Sequence, residues 1–120
     1  MKIVALVQAR MGSTRLPGKV LKLIVGKPMI ELLLMRLSKS SELDDIVVAT
    51  SKEDQNDQLQ SVVESLGYQC FRGCEKDVLN RLYESAKSVN ADVIVRITGD
   101  CPLVDPVLVD QCIQGFKKSK

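Results

Sequence analysis

The chain of 120 residues has no histidine and no tryptophan, and only two Phe and two Tyr. Without an imidazole, every mechanism that needs an imidazole base is excluded, including Ser–His and Cys–His nucleophile pairs. An aromatic content of 3% leaves few stacking platforms for a binder of single strands. A net charge of +2 gives no global field for a polyanion, and no nucleic-acid partner is expected. No apolar run reaches the roughly 18 residues of a membrane span. Arg10 and Arg15 also interrupt anything resembling the apolar core of a signal peptide. The expectation is a cytoplasmic protein with no membrane partner. The four cysteines, Cys70, Cys74, Cys101 and Cys112, form no C-x-x-C pair, which argues against zinc. They read as small thiols, buried or half-exposed, in a reducing compartment.

One further absence is local. No carboxylate precedes Glu31, whereas Lys2, Arg10, Arg15, Lys19, Lys22 and Lys27 do. The remaining ninety residues carry eleven bases against fifteen acids. Such asymmetry marks a local anion site rather than a global field. At its centre lies QARMGSTRLPGK, residues 8–19.

The length suits one domain, burying roughly two-thirds of the surface its unfolded chain would expose. Four short apolar runs read as strands: Ile3–Val7, Ile46–Ala49, Tyr68–Phe71 and Val93–Ile97. Four amphipathic helices alternate with them. Pro28 suits a first helical turn, and Met29, Leu32, Leu33 and Leu37 follow at helical spacing. Leu59, Val62, Val63 and Leu66 form a second stripe, ended by Gly67. Val78, Leu79, Leu82, Ala86 and Val89 form a third. Asp105-Pro106 reads as cap and first residue of a fourth, continuing through Leu108, Val109, Cys112, Ile113 and Phe116. The order β-α-β-α-β-α-β-α predicts an α/β fold: an open parallel sheet between helical layers. If the fourth strand returns to the far side of the first, the order is 3-2-1-4 and the winding reverses between strands one and four. Ligands of open α/β sheets bind at that reversal, outside the strand carboxyl ends. The basic loop and TGDCP (98–102) would then face each other.

Each loop has a definite chemistry. Gly12 and Gly18 let backbone amides approach a ligand and form an anion nest. Arg10 and Arg15 offer planar forks for phosphate oxygens, and Lys19 a point charge. Taken alone, the loop fits a solvated surface segment equally well. It is not a Walker A motif, because five residues separate Gly12 from Gly18 and Val20 follows Lys19. Nor does it match G-x-G-x-x-G. Asp100 is either a turn-former bonded to its own backbone or a carboxylate facing bound phosphates. In the second case a bridging Mg²⁺ is expected, since that ion takes one or two carboxylates plus phosphate oxygens. Asp105 is most simply a helix cap.

QARMGSTRLPGK resembles the signature loop of the cytidylyltransferases that activate sugar acids. The likeness is nearest to the branch containing the spore coat polysaccharide biosynthesis protein F. IVVATS (46–51), FRGCEKDVLNR (71–81) and RITGDCPLVDP (96–106) fall in that branch's order, so the resemblance covers essentially the whole chain. It implies a three-layer Rossmann-like sheet of the nucleotide-diphospho-sugar transferase type. Residues 1–120 would be the nucleotide-binding domain, the N-terminal half of a fold whose other half supplies the acceptor sugar site. It implies CTP and a sugar as partners, Mg²⁺ as cofactor, and transfer of CMP with release of pyrophosphate for surface or spore coat polysaccharide. Arg10 and Lys19 would hold phosphates as the catalytic cations, with Gly12, Ser13 and Arg15 completing the loop. Ala9 would line the nucleoside, Arg72 and Gly73 would help recognise the pyrimidine, and Asp100 would bind the metal. Thr98 replaces the usual Gln of the sugar-acid enzymes, and Lys-Asp-Val-Leu-Asn-Arg (76–81) replaces their Ser-Gly-Thr-Asp/Glu-Arg run. Base and sugar choice therefore stay open. Two other outcomes remain: a nucleotide-binding fragment without turnover, and a sugar-1-phosphate nucleotidylyltransferase using UTP or dTTP. A sheet edge left beside the fourth strand predicts a homo-oligomer or marginal stability.

Overall fold

Strand β1 (Ile3–Gln8) is buried at five consecutive positions, Ile3 to Val7. A strand apolar on both faces, without alternation, must be covered on both faces. The computed structural model, which describes residues 2–9, 23–24, 27–74, 76–98 and 105–118, places β1 inside a four-stranded sheet. It pairs in parallel with β4 (Asp45–Ser51) on one side and β6 (Val93–Thr98) on the other, so that Val7 lies opposite both Val48 and Ile97. Strand β5 (Gln69–Gly73) joins the outer side of β4, also in parallel. The order is β5-β4-β1-β6, which is the expected 3-2-1-4. Strands β2 (Leu23–Ile24) and β3 (Lys27–Pro28) form a separate antiparallel ladder. The periodicity did not anticipate it, because two residues per strand are too few to leave a pattern.

Helices α1 (Met29–Leu37), α2 (Asp57–Ser65) and α4 (Pro106–Lys118) cover one face of the sheet. Ile30, Leu33, Leu34, Leu37, Leu59, Val63, Val109 and Ile113 meet Ile3, Ala5, Val7, Ile46 and Val48 there. Helix α3 (Val78–Ser88) covers the other face, where Ala86 and Val89 meet Val4, Leu6 and Val47. The three-layer α/β arrangement is thus present. No helix among the described residues is long and apolar enough to cross a membrane.

Local signals explain most boundaries. Gly67 has φ of +90°, the left-handed conformation expected after α2. Asp105 accepts a hydrogen bond from the Val107 amide at 2.9 Å, as a capping residue does. Pro28 is the residue before α1 rather than its first helical residue, with ψ of 143°. The third stripe needs a larger correction. Leu79 is 76% exposed, whereas Arg81 and Ser85 are buried. Periodicity identifies the helix, but not which of its rows the sheet covers. In α4, likewise, Val109 and Ile113 are buried while Leu108, Cys112 and Phe116 are exposed.

Candidate functional site

The winding passes from β1 to β4 and β5 and then returns to β6 on the far side of β1. Its reversal lies between β1 and β6, so the loops after Gln8 and Thr98 leave the sheet side by side. Arg10, Gly12, Ser13, Arg15, Lys19 and Asp100 belong to those loops and lie outside the described residues. Ala9, Arg72 and Gly73 lie within them.

Ala9 is buried, and its amide donates to the Ala49 carbonyl at 3.2 Å. That bond ties the start of the basic loop to β4. On the opposite face Gln8 Oε1 accepts from Arg96 Nη2 at 2.8 Å and Nε at 3.2 Å. An Arg–amide pair therefore sits at the reversal itself. The sequence reading missed it, although an Arg inside the apolar run VIVRIT was a visible signal.

Arg72 is committed. Its guanidinium donates to the carbonyls of Ser51 and, at 2.8 Å, Glu53. It also donates to Gln60 Oε1 at 2.7 Å and pairs with Asp57 Oδ1 at 3.0 Å. The planar fork makes such multiple anchoring possible. It straps the β4–α2 connection, including the short 3₁₀ turn Asp54–Asn56, onto β5. Beneath that connection Asn56 Nδ2 donates to Ser51 Oγ at 2.6 Å in a buried bond. Thr50 Oγ1, on the neighbouring residue, is buried without a hydrogen-bond partner.

Gly73 ends β5 with no room for a side chain. A Cβ there would meet Arg81 Cγ at 2.8 Å and the Phe71 ring at 3.0 Å. The occupant of that room is Arg81, which is 2% exposed. Its Nη1 donates to the Cys74 carbonyl at 3.1 Å, while its Nε has no partner among the described residues. The sequence reading did not single out Arg81, because one cation between Leu79 and Leu82 reads as an interruption of the stripe.

With no histidine in the chain, no Ser–His or Cys–His pair exists. Burial, opposed by the charge of Arg72, pushes the Cys70 thiol up to about 11, so it stays protonated at neutral pH. Among the described residues no three His, Cys, Asp or Glu side chains come together to hold a metal ion. What the described residues place at this end of the sheet is three arginines, Arg72, Arg81 and Arg96, each bonded to protein groups that it braces.

A profile of the cytidylyltransferase family matches residues 4–120. The spore coat polysaccharide biosynthesis protein SpsF of Bacillus subtilis is 41% identical over 117 residues, covering 94% of this chain and 49% of its own length. A cytidylyltransferase structure from Leptospira borgpetersenii superposes with a TM-score of 0.95 at 38% identity, over all of this chain and 50% of that one. A CMP:2-keto-3-deoxy-manno-octonic acid synthetase complexed with CTP superposes with a TM-score of 0.86 at 32% identity, over 98% of this chain and 48% of its own. The chain spans about half the length of the relatives it matches.

Proposed function

Because the chain belongs to the cytidylyltransferase family, we propose that it binds CTP at the carboxyl ends of β1 and β6. As part of the complete catalytic unit it transfers CMP to a sugar acid. The observation supporting this reading is the strand order, in which β1 and β6 are parallel neighbours with their last residues, Gln8 and Thr98, opposite each other. The synthetase solved with CTP, sharing the fold at a TM-score of 0.86, supports the choice of nucleotide.

In this reading Arg10 and Lys19 bind the triphosphate and stabilise charge as it develops. Gly12, Ser13 and Arg15 shape the loop around it, and Ala9 borders the nucleoside. Gly73 and its neighbours take the pyrimidine, with Arg72 bracing the segment behind them. Asp100 would hold Mg²⁺, an ion that prefers mixed carboxylate and phosphate ligands, and the ion would supply charge neutralisation. A hydroxyl oxygen of the sugar acid attacks the α-phosphorus and loses its proton. The bond from that phosphorus to the β-phosphate oxygen breaks, and pyrophosphate leaves. Such a step needs alignment and electrostatic stabilisation rather than an imidazole. The product would feed surface or spore coat polysaccharide in the cytoplasm.

A second reading is nucleotide binding without turnover. Calorimetric titration of CTP with and without Mg²⁺, against UTP, dTTP and ATP, tests both. Magnesium-dependent binding that prefers CTP and is lost in Lys19→Ala is expected. Preference for UTP or dTTP would instead indicate a sugar-1-phosphate enzyme, and no binding would overturn the nucleotide site. Pyrophosphate release on adding 3-deoxy-manno-octulosonate then separates the enzyme from the binding fragment.

A further inference from the structure

Arg81 is the largest of the fully buried side chains. A guanidinium carries five N–H donors and a permanent charge, and burying it is unfavourable unless partners surround it. Here the bond to the Cys74 carbonyl at 3.1 Å is joined by no acceptor at Nε. Arg81 is also a helical residue, and an apolar side chain of similar length would fill the space under Gly73 without charge. Packing alone therefore does not account for an arginine. A buried polar group left unsatisfied in a native fold calls for a functional explanation.

Its position suggests one. Gly73 is where β5 ends at the carboxyl edge of the sheet, and only the missing Cβ lets Arg81 reach past it to Cys74. Arg72, the nearer cation in sequence, is occupied by Ser51, Glu53, Asp57 and Gln60. If residues 73–74 meet the base, as in the function proposed above, the side chain of Arg72 is already engaged elsewhere. The base would then be read largely by backbone groups. Cytosine and uracil differ in a 4-amino donor against a 4-oxo acceptor, so a backbone reader discriminates only if its peptide planes are fixed.

We propose that Arg81 is a positioning residue for base selectivity. By holding the Cys74 carbonyl it fixes the peptide plane that follows Cys74 at the end of β5, and it thereby sets the preference for a 4-amino pyrimidine. This rests on the nucleotide reading, and the test separates the two. CTP and UTP are titrated into the wild-type chain, Arg81→Met and Arg81→Lys, with thermal unfolding followed in parallel. The wild type should prefer CTP. Arg81→Met should reduce that preference by about tenfold, the worth of one well-placed hydrogen bond, and Arg81→Lys should recover part of it. A folded Arg81→Met with unchanged preference overturns the role of Arg81 and leaves the nucleotide site standing. A wild type that binds neither nucleotide, or both equally, overturns the role as well. Should Arg81→Met not fold, the wild-type Arg81 Nε–H resonance decides: a shift with CTP and none with UTP supports the role, and identical responses reject it.

Discussion

At the residue scale, the carboxyl end of β5 depends on one missing atom. Gly73→Ala would place a methyl group 2.8 Å from Arg81 Cγ, and overpacking of this kind costs about 1–3 kcal/mol. A lower denaturation midpoint at unchanged slope would register it. Arg72→Met should cost about 2–4 kcal/mol, since each of its hydrogen bonds contributes about 0.5–1.5 kcal/mol net. The same denaturation series measures that loss. Neither effect is legible from the residues alone. FRGC names a strand end, but it does not say that Arg72 faces α2 while Gly73 faces α3. Such facing follows from the strand's register with β4, where Thr50 lies opposite Arg72. Arg81 escaped notice for a related reason: helical periodicity sorts residues by polarity, and a buried cation is sorted to the wrong side.

The elements themselves were largely legible. Strands β1, β4 and β6 extend the apolar runs by one to three residues, and β5 is shifted, losing Tyr68 and gaining Arg72 and Gly73, because hydrogen bonding continues where hydrophobicity stops, as at Gln8 and Ser51. Helix α3 starts at a side-chain cap: Asp77 Oδ1 accepts from the Asn80 amide at 3.0 Å. Asp77→Ala should therefore cost about 1 kcal/mol, read as a lower melting temperature with helical content otherwise retained. Helix α4 is held by a contact that no motif foretold. The Asp110 carboxylate accepts from the hydroxyl of Ser40, from the amide and hydroxyl of Ser41 at 3.1 and 3.0 Å, and from the Glu42 amide at 3.2 Å. Lys117 pairs with Glu42 at 2.8 Å. The hydrogen bond from Ser40 leads in holding the Asp110 carboxyl below its ordinary value. A carboxylate with a lowered folded value stabilises above its unfolded value, about 3.9, and loses that contribution as pH falls below it. Acid titration of stability should therefore show a step below about pH 4 that is absent in Asp110→Asn.

At the scale of the molecule, the described residues cover the two sides of the sheet unequally. Three helices lie on one face and one on the other, and α3 packs on β5, β4 and β1. On β6, every second residue, Ile94, Arg96 and Thr98, is exposed. Ile94 is 44% exposed, and Leu79 and Tyr83 stand out from α3. Among the described residues β6 also has no strand on its outer side, and open edges pair with other chains. Self-association through β6 follows, growing with concentration in light scattering, and Ile94→Lys should suppress it. A monomer at all concentrations would remove this expectation. Strand order and layering were readable because right-handed crossovers and the loop chemistry left one economical winding. The uneven cover was not, because nothing in VIVRIT says which face a helix will reach.

The strand at the heart of the sheet is made before both of its neighbours. At about 5–20 residues per second, β4 follows β1 from the ribosome after about 2–9 s and β6 after about 4–18 s. Through that interval Ile3 to Val7, which the finished protein hides on every side, can meet α1 on one face but neither of its flanking strands. The central strand therefore waits for both of its partners, its two hydrogen-bonding edges open while they are made.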